Sequence, residues 1–130
     1  MLLNPEAVRA LSGITSKKRL MNELGTLAET AYGVSQSAAV DALLERERLG
    51  PTGVGHGVAL PHARLDGLDR VVGALVVLDK PVDFKAVDRQ PVDLVFGLFA
   101  PLEAGVAHLK ALALVSRTMR DQALCTRLRA

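Results

Sequence analysis

The spacing of apolar positions along this chain changes repeatedly, and each change predicts an element. From Lys17 onward Leu20, Met21, Leu24, Leu27, Ala28 and Ala31 recur at helical spacing, one face of an amphipathic helix. Ser16 is placed to cap its start and Gly33 to close its end. Ser35 or Ser37 opens a second helix, in which Val40, Leu43, Leu44 and Glu47 follow a similar period until Gly50 and Pro51 stop it. Leu2 to Leu11 is apolar enough to pack but gives no clear period. Arg70 to Leu78 is dense in valine and reads as a strand buried on both faces. Asp79-Lys80-Pro81 predicts a turn, Val82-Asp83-Phe84 a short extended piece, and Asp88-Arg89-Gln90-Pro91 a polar bend. Val92 to Phe99 is a second buried strand. A third helix is expected from Ala104 to Met119, with Val106, Leu109, Leu112, Ala113, Val115 and Met119 packed against the sheet along much of its length. Gln122 to Ala130 adds one or two further turns. The order helix, helix, loop, strand, strand, helix specifies an α/β sandwich, a small mixed sheet flanked by helices.

Between the second helix and the first valine-rich strand the pattern breaks down into Gly50-Pro-Thr-Gly-Val-Gly-His-Gly-Val-Ala-Leu-Pro-His-Ala-Arg-Leu65. Gly53, Gly55 and Gly57 allow close backbone approach or positive φ. Pro61 fixes its own φ and pushes Leu60 towards extended geometry. A stiff loop presenting His62 is the expectation.

Composition narrows the function classes. The chain has 130 residues, 49% of them hydrophobic and 3% aromatic, which suits one domain with one aliphatic core. No repeat, linker or low-complexity segment suggests a boundary. The net charge is only +2 and basic residues are interleaved with acidic ones, as in Glu45-Arg46-Glu47-Arg48, which argues against a nucleic-acid surface. A single cysteine, Cys125, allows no intrachain disulfide. The start, Met-Leu-Leu-Asn-Pro-Glu, lacks the order of a signal peptide, and no apolar run approaches the roughly 20 residues that span a bilayer. A cytoplasmic protein is expected.

His62 leads the candidate chemistry. An unperturbed imidazole, with a pKa of about 6.5, is mostly neutral at pH 7 and can attack a phosphoryl group. The alternative is a surface-loop histidine without a role. His108 falls in the opening turns of the third helix, where the dipole favours anions and disfavours imidazolium, so a neutral ring with one N–H donor fits. Its alternative is a core histidine bonded to a carbonyl. Arg46, at a helix end, carries a permanent charge suited to phosphate; its alternative is a solvated partner of Glu45 or Glu47. His56 is a loop residue. The spacing of His56, His62, His108 and Cys125 matches no zinc pattern, so no metal is expected. The Gly53-x-Gly55-x-Gly57 spacing is not the dinucleotide fingerprint, no Gly-Lys-Ser/Thr follows, and no serine elbow is present.

The stretch Leu43 to Ala63, ending in Ala59-Leu60-Pro61-His62-Ala63, resembles the active-site signature of enzyme IIA components of the bacterial phosphotransferase system, fructose/mannitol type. His108-Leu109-Lys110-Ala111-Leu112 is similar to the family's second histidine motif, and Arg46 matches the arginine of its Arg-Glu motif. The likeness runs from about Asn4 to the end. Gln90 to Phe96 and Cys125 to Arg129 look most like the nitrogen-regulatory branch. Family members more often have Asn at position 56 and Ser at position 51, and usually continue for another helical segment beyond Ala130.

The resemblance implies a mannitol-type IIA sandwich over residues 1–130 without that last segment. It implies phosphorylation of His62 by an HPr-like phosphocarrier, a hydrogen bond from His108 to the phosphoryl group and charge neutralisation by Arg46. Thr52, Gly53, Gly55 and Gly57 would form the phosphate loop. No cofactor is implied, because the donor is already a phosphoprotein. The expected function is a regulatory phosphoacceptor acting on target proteins. The competing one is a sugar-specific component passing its phosphoryl group to a permease IIB domain; a third is a binding module that keeps only the fold.

Overall fold

The computed structural model describes residues 2–86 and 88–130. Met1, the first residue of the amino-terminal stretch read above, lies outside them. The elements are β1 (Leu3–Leu11), α1 (Lys17–Tyr32), α2 (Gln36–Leu49), β2 (Gly53–Gly55), β3 (Val58–Ala59), β4 (His62–Leu65), β5 (Val72–Val82), β6 (Val92–Pro101), α3 (Val106–Thr118) and α4 (Gln122–Arg129). Among the described residues they build one mixed sheet in the order β1-β5-β6-β3-β2, with β4 also on β6. Strand β5 runs parallel to β1 and antiparallel to β6, and both β3 and β4 run parallel to β6.

Strand periodicity splits the core in two. From β5, Val72, Ala74, Val76 and Leu78 face α1 and α2 together with Val95 and Phe99 of β6. The alternate positions Leu75, Leu94, Phe96 and Leu98 face Val115 of α3, Met119 just beyond it and Cys125 of α4. Helix α1 starts at the Ser16 cap, whose side chain accepts from the Arg19 N–H, and ends at Gly33 in the left-handed region, as its sequence predicts. No helix among the described residues is long and apolar enough to cross a membrane.

One stretch left unassigned by its pattern gains an element, and three local expectations need correction. Leu3–Leu11 is an edge strand on which only Ala7 is buried, so no two-residue period shows. Asp79-Lys80-Pro81 is not a turn, because β5 continues to Val82. Its register with β6 shifts between Val77 and Val82, so these turn-type residues sit on an exposed irregularity where Pro81 breaks no ladder bond. The glycine-rich stretch is not a loop throughout. Its β3 and β4 pieces lie in succession along β6, interrupted by Leu60-Pro61, and the Pro61 carbonyl accepts from the Leu98 N–H at 2.9 Å. Finally, α3 packs only in part: His108 and Val115 are its buried residues, while Val106 and Leu109 are each 65% exposed.

Candidate active site

Three elements converge on a cavity of about 480 Å³ lined by Arg46 of α2, His62 and Arg64 of β4, and His108, Leu109 and Leu112 of α3, among others. His62 is the first residue of β4, paired with Leu98 of the central β6, so sheet pairing fixes its backbone immediately after Pro61. Its Nδ1 lies 2.9 Å from the Leu60 carbonyl oxygen. That oxygen only accepts, so Nδ1 carries the proton. On the other side of the ring the Arg46 Nε–H donates to Nε2 at 3.2 Å, and a guanidinium only donates, so Nε2 carries the lone pair. Both partners select the same neutral tautomer.

The electrostatics agree. Burial is the largest influence on His62 and lowers its pKa; the bond to the Leu60 carbonyl raises it, the Arg46 charge lowers it and Glu47 raises it. The outcome lies below the ordinary histidine value, and the ring is neutral at pH 7. His108 is also lowered, first by burial, then by His62 and by Arg64.

The two rings meet edge to face, centroids 5.5 Å apart at 70°. His108 is only 7% exposed, and its buried Nε2 has no hydrogen-bond partner among the described residues. The alternative of a ring satisfied at that nitrogen by a carbonyl is therefore not what is found. An unpaired buried polar atom costs about 1–3 kcal/mol, so the His108 ring holds an unspent hydrogen-bonding group. Arg46 is not a solvated partner of its neighbours either: Glu45 pairs with Arg48, while the Arg46 Nη1 donates to the Gly50 carbonyl at 2.9 Å.

The four residues expected to cradle phosphate do not line this cavity. Thr52 is buried and donates its hydroxyl to the Glu47 Oε1. Gly53 and Gly55 form β2, and a Cβ at Gly53 would stand 2.7 Å from that of Ala86. Gly57, at φ +79°, lies against Arg129 and Asp93. These glycines serve packing against the chain itself. His56 is a turn residue whose N–H donates to Asp88 and whose carbonyl accepts from Arg129. Among the described residues no group of three or more His, Cys, Asp or Glu side chains is placed to hold a metal ion.

Arg64 was missed by the sequence reading. Two residues after His62 on one strand, it falls on the same face, a signal available once positions 62–65 are treated as a strand rather than a loop. Glu47 was read as a helical position and as a possible partner of Arg46, yet its side chain is 6% exposed and binds Lys17.

A small mixed sheet covered by helices, with two histidines and an arginine around one cavity, is what the resemblance to IIA components of the phosphotransferase system implies. Comparison with known proteins agrees. The family described as "Phosphoenolpyruvate-dependent sugar phosphotransferase system, EIIA 2" matches residues 1–130, and the chain belongs to it. It is 46% identical over 129 residues to a nitrogen regulatory protein of Bradyrhizobium diazoefficiens, covering 99% of this chain and 84% of the relative. The crystal structure of the nitrogen regulatory protein IIA-Ntr of Neisseria meningitidis superposes with a TM-score of 0.90 at 35% identity, covering 99% of this chain and 88% of that one. The mannitol IIA of Escherichia coli, in its complex with phosphorylated IIB, shares the fold with a TM-score of 0.78 at 21% identity, over 98% and 88% of the two chains. Within its family the chain is a IIA component of the nitrogen-regulatory kind.

Proposed function

We propose that the protein accepts a phosphoryl group from an HPr-like phosphocarrier onto Nε2 of His62 and regulates target proteins in the cytoplasm by its phosphorylation state. The observation that carries this reading is the tautomer. Nδ1 is committed to the Leu60 carbonyl, and the lone pair sits at Nε2, facing Arg46 in a cavity shared with His108.

In the transfer, the Nε2 lone pair of His62 forms a bond to phosphorus as the P–N bond to the carrier's imidazole breaks. The bonding electrons leave with the carrier nitrogen. Catalysis of such a loose displacement is positioning and charge neutralisation, with little covalent assistance. Arg46 turns from the ring nitrogen to the phosphoryl oxygens, and His108 supplies a donor from Nε2, which has no partner among the described residues. Leu49 and Leu109, 79% and 65% exposed at the rim, suit the approach of a second protein better than that of a small polar substrate.

Incubation with phosphorylated HPr-type carrier, followed by mass spectrometry, tests the acceptor: label is expected on His62 and on no residue of His62→Ala. Label elsewhere, or none on the parent protein, overturns the reading. Rapid sugar-linked discharge to a IIB domain would replace the regulatory role with the sugar-uptake one.

A further inference from the structure

We propose that Glu47 is a positioning residue for the His62 nucleophile, fixing its tautomer through Thr52 and the backbone on either side of the Leu60 Cα; the proposal rests on His62 being the acceptor. Glu47 occupies the last turn of α2, where the helix dipole disfavours a carboxylate, and it is nearly buried. Three donors hold it there. Oε2 accepts from the Lys17 Nζ at 2.9 Å and from the Thr52 N–H at 3.0 Å, and Oε1 accepts from the Thr52 hydroxyl at 2.5 Å. Lys17 is itself fixed by the Phe84 carbonyl at 3.2 Å.

From Thr52 the connection continues to the ring. The Thr52 carbonyl accepts from the Leu60 N–H at 2.9 Å, and the Leu60 carbonyl accepts from the His62 Nδ1–H at 2.9 Å. Free histidine favours the opposite tautomer, with the proton on Nε2, so an oriented carbonyl at Nδ1 is what makes Nε2 a nucleophile. Glu47 grips Thr52 by both backbone and side chain, and Thr52 anchors the chain at the Leu60 N–H, one Cα before the carbonyl that meets the ring. Consecutive residues of α2 thus address the two ring nitrogens, Arg46 directly and Glu47 through two backbone segments. Among the described residues the hydroxyl of Thr52, buried outside the cavity, makes no other hydrogen bond.

Ring ¹⁵N spectra of His62 read the tautomer without any phosphoryl donor, and uptake from phosphoramidate reads the rate without a carrier protein. In the parent protein Nδ1 is expected to be protonated and Nε2 not. Glu47→Gln can keep every bond, its oxygen serving Lys17 and the Thr52 N–H and its amide donating to the Thr52 oxygen, so it should retain the tautomer and a near-parental rate. Glu47→Ala is expected to give a mixed tautomer and uptake about 10- to 100-fold slower. Thr52→Val should shift both in the same direction and Thr52→Ser should not; this pair decides the matter if Glu47→Ala fails to fold. A parental tautomer and rate in folded Glu47→Ala, or in Thr52→Val, would overturn the proposal. Should the parent protein take up no phosphoryl group at His62, the acceptor assignment falls, while the tautomer series still reports on Glu47.

Discussion

The Nε of Arg46 donates a hydrogen bond to Nε2 of His62, so the nucleophilic lone pair is capped by the cation that would later neutralise the phosphoryl charge. A protonated Nε2 would point its hydrogen at that guanidinium, so this contact and a charged ring exclude each other. Arg46→Gln therefore has two expected effects. The His62 pKa rises towards its ordinary value, because a positive neighbour is removed, and phosphoryl uptake slows about 100-fold through the loss of a transition-state donor. An NMR titration of the ring reads the first and single-turnover labelling reads the second. A fall in the pKa would refute the electrostatic account.

The same neutral rings make stability depend on pH. His62 and His108 have lowered pKa values in the folded protein, so on acidification the unfolded chain binds protons first, from about pH 6.5. Stability is expected to be full above that pH and to fall as pH drops through the window down to the folded values. Urea unfolding at pH 5 and pH 7.5 measures the slope. His62→Gln and His108→Gln should each flatten it, and an unchanged slope in both would show that the rings titrate alike folded and unfolded.

His108 sets function against stability. Its buried Nε2 has no partner among the described residues, so an apolar residue of similar size removes a desolvation penalty. His108→Leu should leave the fold as stable as the parent or up to about 1–3 kcal/mol more stable, while slowing phosphoryl uptake. Denaturant midpoints and labelling rates on the same sample decide it. Loss of stability would mean that the ring is held by a bond other than those seen.

Much of this arrangement is legible in the sequence, and the illegible parts share a cause. α1 could be read because Leu20, Met21, Leu24 and Leu27 face a single core and Ser16 and Gly33 mark the ends. β5 and β6 could be read because both their faces are buried. β1 could not, because an edge strand with one buried residue keeps no period. At the site, His62, His108 and Arg46 carry their chemistry in their residue types and motif positions. Glu47 and Arg64 do not, because their roles depend on partners that only pairing along β6 and the packing of α2 bring close. The glycines misled for the same reason: the spacing announces close approach but not what approaches.

Gly57 shows what does. It stands at φ +79°, and a Cβ there would lie 2.6 Å from the Arg129 Nη2 and 2.9 Å from the Asp93 Oδ1. Arg129, from the last turn of α4, donates to both carboxylate oxygens of Asp93 and, at 2.9 Å, to the His56 carbonyl. This half-buried pair ties α4 to β6 and to the turn between β2 and β3, and only a residue without a side chain leaves room for it. Gly57→Ala combines left-handed backbone strain with displacement of the guanidinium, and should cost about 1–3 kcal/mol. Arg129→Ala leaves the backbone unstrained and should cost less. In neither variant should the folded fraction lose phosphoryl uptake by His62, because the pair lies outside the cavity. Thermal midpoints and labelling rates of the two variants test this together. A Gly57→Ala protein of parental stability that failed to take up phosphate would restore the glycine to the phosphate site and remove it from the anchor.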